Sequence, residues 1–258
     1  EPFPLQRGFW LLSQVAPADI EKTPYAELRK KYSINLDFYK FFKFEGIPAV
    51  EFRQTKINIL NHTAVVFSST TAIDYFFTLV KDLRIEMPEN MKYFCVTDTA
   101  AYYLQKYMPY RKRKIFYAKN NQNSGLFELL LKNRELKFLL PCGNGMMSTQ
   151  YSDFFDSNNI EYTQAVIFNT VAANIKEDID ISKYNMIVFF SPSGVQAFKT
   201  NFPDFEQGEM AFAAMGPAAV EAIEAEGWTL HVAAPTKEAP SITTALDIFL
   251  KDHATRRR

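Results

Sequence analysis

The sequence has few of the residues from which metal and redox sites are built. Its 258 residues include two cysteines, Cys95 and Cys142, and three histidines, His62, His231 and His253. They are far apart and do not match zinc, redox or HExxH spacings. We interpret both cysteines as buried, reduced thiols. The sequence therefore predicts a protein that works without a metal or a cofactor.

Glycine is also scarce, with nine residues in all. The segment Gly143-Asn144-Gly145 does not match the GxxxxGKS loop that surrounds nucleotide phosphates. Nucleotide hydrolysis is therefore not favoured.

The chain has no excess of charge of either sign, because Lys plus Arg and Asp plus Glu number 29 each. No overall field attracts nucleic acid, so an anionic ligand has to be bound by local groups. Apolar runs such as Met186–Phe190 are far shorter than a bilayer requires, and residues 1–8 lack a signal-peptide pattern. We expect a cytoplasmic monomer with neither nucleic acid nor membrane as a partner.

A strand–turn–helix pattern occurs twice. The segment from Val65 to Ile73 aligns with residues 187–195, and the segment from Tyr93 to Ala100 aligns with residues 212–219. Each copy has a short apolar run, a tight turn and a helix start. At 47% hydrophobic and 22% charged residues, the chain has room for two compact domains. The repeat predicts two similar α/β halves.

Hydroxyl side chains stand where the helices of this repeat begin. The first N–H groups of a helix have no partner within it, and the positive end of its dipole favours carboxylates and phosphates. The simpler interpretation is that each hydroxyl is an ordinary N-cap. The paired positions favour an anion site at Ser68, Ser69, Thr70, Ser191 and Ser193.

Apolar runs and turn residues predict a chain of alternating strands and helices. A strand is expected at Phe9–Ser13, a helix at Pro24–Lys31, and one long strand from Leu36 to Phe44 that leaves one domain and enters another. Further strands are predicted at 64–67, 93–96, 115–117, 138–141, 165–168, 186–190, 210–215 and 230–233. This alternation is typical of parallel sheets covered by helices.

We predict an α/β fold of two flavodoxin-like parallel-sheet domains, the second inserted into the first. Residues 1–40 and 174–258 form the discontinuous first domain, and residues 46–167 form the second. Two linker strands, 36–48 and 166–174, join them. Open parallel sheets bind ligands beyond the carboxyl ends of their strands, so we expect the turns after the strands to face a shared cleft.

Several segments together resemble the uroporphyrinogen-III synthase (HemD-like) family, and the resemblance spans nearly the whole chain. The most specific combination is Phe189-Phe190-Ser191-Pro192-Ser193-Gly194 followed by Gly216-Pro217. The other segments that carry it are 24–28, 66–69, 139–144 and 234–236.

The resemblance implies a cofactor-free hydro-lyase of tetrapyrrole biosynthesis, a part of heme and porphyrin biosynthesis. Such an enzyme takes hydroxymethylbilane, removes its hydroxyl as water, inverts ring D and closes the ring to uroporphyrinogen III. It also implies that the substrate carboxylates bind at Ser68, Ser69, Thr70, Thr97, Thr99, Gly143, Asn144, Ser191, Ser193, Gly194, Gly216 and Pro217.

The sequence departs from the family pattern in four places. Phe168 stands where the family usually has a tyrosine proposed to help the hydroxyl leave, and Ala218 and Ala219 stand where it has two threonines. Ser13-Gln14 replaces Thr-Arg, and Cys142-Gly143-Asn144 replaces Arg-Gly-Asp. These departures leave a second hypothesis, a protein that binds a tetrapyrrole or another polycarboxylate without turnover. They also leave Thr170 and Tyr117 as alternative proton donors.

The run Arg111-Lys112-Arg113-Lys114 permits two interpretations. Such runs are most often solvated turns. Alternatively, part of the run, or Lys119 after the next strand, attracts the anionic substrate.

Overall fold

The computed structural model describes residues 8–144 and 149–255. The chain divides into two compact units. Unit 1 comprises Glu1–Lys43 and Val171–Arg258, and unit 2 comprises Phe44–Thr170. Each unit contains its own β-sheet.

In chain order, the strands within the described ranges are β1 (Phe9–Leu12), β2 (Asn35–Phe38), β3 (Phe42–Gly46), β4 (Ala64–Phe67), β5 (Lys92–Cys95), β6 (Ile115–Tyr117), β7 (Phe138–Gly143), β8 (Tyr162–Ala172), β9 (Met186–Phe189), β10 (Ala211–Met215) and β11 (Val232–Ala234). The α-helices are α1 (Pro24–Tyr32), α2 (Ala49–Gln54), α3 (Thr70–Asp82), α4 (Asp98–Tyr103), α5 (Asn123–Leu131), α6 (Thr149–Ser157), α7 (Ile175–Asp178), α8 (Pro192–Asn201), α9 (Pro217–Ala225) and α10 (Ile242–Thr255).

Both sheets consist mainly of parallel strands. The sheet of unit 1 has the order β11-β10-β9-β1-β2, and every neighbouring pair in it is parallel. The sheet of unit 2 has the order β3-β8-β7-β4-β5-β6, with parallel pairing from β8 through to β6. Within each unit, the turns that follow these parallel strands therefore lie along one edge of the sheet. The predicted α/β class with two parallel sheets is confirmed.

The central strands β4 and β9 are apolar throughout because helices cover both faces of each sheet. All four residues of β4 and of β9 are buried. Among residues 8–144 and 149–255, one apolar cluster lies on each side of each sheet. Phenylalanine rings supply much of this packing; Phe189, for example, meets Phe212 edge to face at 5.2 Å between ring centroids.

The single strand predicted from Leu36 to Phe44 is wrong. The structure has two strands, β2 in the sheet of unit 1 and β3 beside β8 in the sheet of unit 2. Between them, the ring of Phe41 is fully buried and packs against Phe189 and Phe198. Burial of this one ring interrupts the alternating pattern that a continuous strand requires.

No helix in the described part of the chain is both long enough and apolar enough to cross a membrane.

Candidate functional site

Ser69 and Ser191 are the N-caps of α3 and α8, the helices that follow the buried interior strands β4 and β9. The Ser69 Oγ accepts the Ala72 N–H at 3.1 Å, and the Ser191 Oγ accepts the Gly194 N–H at 3.2 Å. Each bond pairs one of the first main-chain N–H groups of the helix, which have no acceptor within the helix itself. The two halves of the repeat therefore place a capped helix N-terminus at the same edge of their respective sheets.

Other hydroxyls and N–H groups surround these two caps. Ser68 is exposed just before the cap of α3, Thr70 is its first residue, and Ser193 is the second residue of α8. Among the described residues, no acceptor is found for the main-chain N–H groups of Thr70, Thr71 and Ser193. These donors are available to an anion.

The helix starts of α3, α8 and α9 at these edges have no acidic residue in their first turn, and neither do those of α5 and α10. The positive end of each helix is therefore not neutralised by a carboxylate of its own first turn.

The start of α4 differs, because an acidic residue follows its cap. Thr97 caps the helix and accepts the Ala100 N–H at 3.1 Å. Asp98 comes next and accepts bonds from both the main chain and the hydroxyl of Thr99. The hydroxyl of Thr99 thus already binds a carboxylate of the protein, and this turn suits an anionic ligand least.

Gly216 and Pro217 form the turn between β10 and α9. Gly216 has φ 95°, a conformation that favours glycine, and its N–H donates to the Ala234 carbonyl at 2.6 Å. Pro217 is the exposed first residue of α9 and has no N–H. The next residue, Ala218, has no hydroxyl to offer.

Gly194 permits a close contact between α8 and the end of β1. Its N–H is taken by Ser191, and a Cβ at this position would lie 3.3 Å from the Oγ of Ser13. Ser13 is 4% exposed and accepts the Phe190 N–H at 3.3 Å. Sequence reasoning noted Ser13 only as a departure from a family pattern; its position directly after β1 was the signal for this role.

The ring of Phe168 on β8 packs directly against Gly143, its partner at the end of β7. A Cβ on Gly143 would lie 2.4 Å from Cε2 of Phe168, so no larger residue fits there without movement. The ring of Phe168 is 5% exposed, stacks on Tyr75 at 5.1 Å and meets Phe44 edge to face at 5.3 Å. Phe168 is therefore a core residue.

Asn144 is bonded twice to β8. Its main-chain N–H donates to the Phe168 carbonyl at 3.0 Å, and its Oδ1 accepts the Thr170 N–H at 2.7 Å. This contact brings Thr170 to the turn after β7, next to two of the predicted binding residues. Tyr117, the other alternative proton donor, ends the edge strand β6 and lies 6.0 Å from the ring of Tyr102.

The basic run and Lys119 lie at opposite edges of the unit 2 sheet. Lys114 directly precedes β6, and Tyr93 at the start of β5 donates its N–H to the Lys114 carbonyl at 2.7 Å. The run is thus at the amino ends of the strands, which supports its interpretation as a solvated turn. Lys119 follows β6 at the carboxyl ends of the strands, and it lines a cavity of about 330 Å³ together with Glu128 and Lys132 of the α5 segment.

Burial makes the thiols of the two cysteines harder to ionise. It raises the pKa of the Cys95 thiol to about 12 and that of Cys142 to about 11. Neither thiol forms the nucleophilic thiolate to a useful extent near neutral pH. Within residues 8–144 and 149–255, no group of three or more His, Cys, Asp or Glu side chains is arranged to hold a metal ion.

The predicted binding residues form two groups, one at the carboxyl edge of each sheet. The first comprises Ser191, Ser193, Gly194, Gly216 and Pro217 of unit 1. The second comprises Ser68, Ser69, Thr70, Thr97, Thr99, Gly143 and Asn144 of unit 2. That both groups bind one ligand stays a prediction.

Comparison with protein families settles the family. A family model described as uroporphyrinogen-III synthase HemD matches residues 41–244. The chain belongs to this family. Membership implies a lyase-type enzyme of heme biosynthesis with a small-molecule tetrapyrrole substrate. No curated protein sequence matches the chain significantly.

Solved structures support the fold. A uroporphyrinogen-III synthetase from Helicobacter pylori is 15% identical, with a TM-score of 0.58 over 95% of this chain and 99% of that chain. A mutant uroporphyrinogen III synthase from Thermus thermophilus is 10% identical, with a TM-score of 0.52 over 96% and 99%. At these identities the likeness concerns the fold alone.

Proposed function

We propose that the protein is a uroporphyrinogen-III synthase, a hydro-lyase that converts hydroxymethylbilane into uroporphyrinogen III with loss of water and inversion of ring D. Family membership supports this proposal. The structural observation that carries it is the set of helix starts α3, α8 and α9, which follow parallel strands and have no acid in their first turn.

The substrate carries eight carboxylates on a flexible chain of four pyrroles. Main-chain N–H groups, such as those of Thr70 and Ser193, bind carboxylates without placing a full positive charge beside the electron-rich rings. This matters because loss of the hydroxyl leaves a cationic azafulvenium, which a nearby lysine or arginine would destabilise. Neutral donors bind the substrate carboxylates and do not repel this cation.

The catalytic task in this proposal is mainly one of position. Hydroxymethylbilane closes by itself to the uninverted type I isomer, so the protein has to hold the chain where ring D reacts through its other carbon. Several fixed carboxylate contacts restrict the chain to that geometry, and such restriction lowers the barrier of the selected path.

The departing hydroxyl needs no strong acid in this scheme, because the pyrrole nitrogen of its own ring expels it. Phe168 offers no proton at the position where the family usually has a tyrosine. We therefore expect turnover with a lower rate constant, since a positioned acid typically contributes about 10²- to 10⁴-fold.

The residues proposed to contact substrate are the predicted set. The donors among them are the hydroxyls, the amide of Asn144 and the main-chain N–H groups of Thr70 and Ser193. Gly194 and Gly216 have paired N–H groups and Pro217 has none, so these three would contact substrate only by packing. The full set is Ser68, Ser69, Thr70, Thr97, Thr99, Gly143, Asn144, Ser191, Ser193, Gly194, Gly216 and Pro217.

Analysis of the product isomer tests the proposal. Hydroxymethylbilane is generated enzymatically in the presence of the purified protein, and the products are oxidised to porphyrins and separated by chromatography. We expect the type III isomer in excess of a heat-inactivated control. Type I alone, formed at the spontaneous rate, would contradict the proposal. Tight uroporphyrin binding in that case would identify a protein that binds tetrapyrroles without turnover.

We further propose that the protein acts as a cytoplasmic monomer. Light scattering after size-exclusion chromatography and fractionation of the producing cells check the two parts of this statement.

A further inference from the structure

The side-chain amide of Asn144 has a fixed orientation. Its Oδ1 accepts the main-chain N–H of Thr170 at 2.7 Å, while its own main-chain N–H donates to the carbonyl of Phe168 at 3.0 Å. A main-chain N–H can only donate, so the oxygen of the amide has to face Thr170. The NH₂ group of Asn144 is consequently directed away from this bond.

That NH₂ group is unused within the protein. Asn144 is exposed, and no acceptor for its Nδ2 occurs among the residues that the structure describes. Its two N–H donors are therefore available at the carboxyl edge of the unit 2 sheet.

Thr170 carries a second unused donor beside the first. Its Oγ1 is buried, and across residues 8–144 and 149–255 it has no hydrogen-bond partner. Buried hydroxyls in proteins are nearly always paired, so an unpaired one indicates a missing partner. Since the N–H of the same residue holds Asn144, covalent geometry keeps this hydroxyl within a few ångströms of the amide.

The two strand segments that carry the donors are free of formal charge, and the charged residues of the neighbouring strand β3, Lys43 and Glu45, are of opposite sign. Residues 138–144 and 163–170 include no Asp, Glu, Lys, Arg or His. Two neutral donors on residues joined by a hydrogen bond can serve the two oxygens of one carboxylate, and hydrogen bonds to an ionised group are stronger than neutral ones.

We propose that Asn144 and Thr170 form one carboxylate-binding subsite, in which the Asn144 NH₂ group and the Thr170 hydroxyl donate to the two oxygens of a single carboxylate. Asn144 is the residue that contacts the ligand from the surface, and the N–H of Thr170 positions it. That the carboxylate belongs to a tetrapyrrole substrate rests on the proposed function.

The substitution Asn144→Asp tests the subsite with little change in shape. The aspartate keeps an oxygen that accepts the Thr170 N–H, but it replaces the NH₂ donor with a negatively charged oxygen. We expect binding of uroporphyrin III, followed by fluorescence titration, to weaken at least about tenfold, because a hydrogen bond to an ionised group is lost. The midpoint of thermal unfolding should be unchanged.

Asn185→Asp is the matched control for added charge. The Oδ1 of Asn185 also accepts a main-chain N–H, that of Phe9, at 2.9 Å. It precedes β9 and so lies at the amino edge of the unit 1 sheet. We expect this variant to bind uroporphyrin III as the unmodified protein does. An equal loss in both variants would show a general charge effect and would overturn the proposal.

The substitution Thr170→Val separates binding from structure. It removes the hydroxyl and keeps the side-chain shape, so an unpaired buried polar atom disappears and the unfolding midpoint should stay equal or rise. We expect uroporphyrin III to bind about fivefold to tenfold more weakly nonetheless. Unchanged binding would show that the hydroxyl has no ligand.

The two measurements distinguish this proposal from the proposed function. If the unmodified protein forms the type III isomer but Asn144→Asp binds normally, the subsite is wrong and the function stands. If only type I is formed but Asn144→Asp loses uroporphyrin binding relative to Asn185→Asp, the function is wrong and the subsite stands.

Discussion

Ser69 and Ser191 have the same conformation and make the same bond in the two units. Their backbone angles are φ −160°, ψ 161° and φ −162°, ψ 157°, and each side-chain oxygen accepts the N–H three residues on, at 3.1 and 3.2 Å. Each follows a strand that is buried along its whole length. The repeat seen in the sequence is thus a repeat of geometry at the candidate site.

Exchange of these serines for aspartate should separate capping from binding. Aspartate caps as well as serine and favours the positive end of a helix, so Ser69→Asp and Ser191→Asp should keep the free energy of unfolding or raise it. The added carboxylate repels an anionic substrate, and we expect the KM for hydroxymethylbilane to rise about tenfold or more.

The alanine variants give the opposite pattern and serve as controls. Ser69→Ala and Ser191→Ala lose a cap and about 1 kcal/mol of stability in urea unfolding. If Ser69→Asp instead shows the KM of the unmodified protein, Ser69 is a cap and nothing more.

Phe168→Tyr restores the residue typical of the family. The Cζ atom of Phe168 lies 2.8 Å from the position of a Cβ on Gly143, so a hydroxyl on Cζ would lie close to Gly143 at the end of β7. We expect kcat to increase about 10²-fold or more, with KM little changed, because the new group donates a proton to the leaving hydroxyl. Assays stopped at fixed times, followed by separation of the isomers, measure kcat and KM. An unchanged kcat would show that proton donation does not limit turnover.

Gly143→Ala should destabilise the protein by about 1 to 3 kcal/mol, because its Cβ overlaps the ring of Phe168. Urea unfolding measures this change. The double variant Gly143→Ala, Phe168→Leu removes the overlapping ring atoms. If the overlap is the cause, adding the alanine costs much less in the Phe168→Leu background than in the unmodified protein.

Asp247 should make stability depend on pH in the acid range. Partial burial opposes its ionisation, but hydrogen bonds from Lys251, Lys31 and Tyr32 outweigh this and hold the pKa of Asp247 well below its ordinary value. Because the pKa is lower in the folded than in the unfolded chain, the carboxylate stabilises above about pH 4, and this contribution is lost as the pH falls below it.

Asp247→Asn is therefore expected to lose about 1 kcal/mol at neutral pH, with the difference from the unmodified protein shrinking below about pH 4. Chemical unfolding across the pH range tests this. Asp204→Asn is the control, because Asp204 is exposed and has no ion pair within the described ranges. A constant difference at all pH values would contradict the assignment.

Both cysteines should be inert in the folded protein. Their raised pKa values, about 12 for Cys95 and about 11 for Cys142, leave almost no thiolate at pH 8. We expect slow reaction with a disulfide reagent in buffer and rapid reaction of both thiols in guanidinium chloride. Fast labelling of the native protein would show that these strand ends open.

Much of the strand pattern could be predicted from local sequence. The strands Ala64–Phe67 and Ile115–Tyr117 have the predicted bounds, because short apolar runs between polar turns leave few alternatives. Of the five hydroxyls for which the sequence permitted an N-cap, Ser69 and Ser191 are caps, since a hydroxyl before a helix start is a strong local signal. Ser68, Thr70 and Ser193 are not caps, and the cap at Thr97 was not predicted.

Where the sequence-based predictions were wrong or incomplete, the cause is contact between residues far apart in the chain. Residues 36–44 look like one strand, and only the pocket formed by Phe189 and Phe198, far along the chain, shows why Phe41 interrupts it. Likewise, nothing local indicates that Lys119 and the run 111–114 lie at opposite edges of a sheet. That follows from the direction in which β6 pairs with β5.

The sequence by itself determined the α/β class, the repeat, the caps and the family resemblance, because these depend on neighbouring residues and on short apolar periods. The tertiary structure alone decided that Phe168 covers Gly143, that Thr170 orients the amide of Asn144 and that Ser13 supports Gly194. Each of these pairs is joined by the alignment of parallel strands or by a helix packed on them, and such contacts between distant residues leave no pattern along the chain.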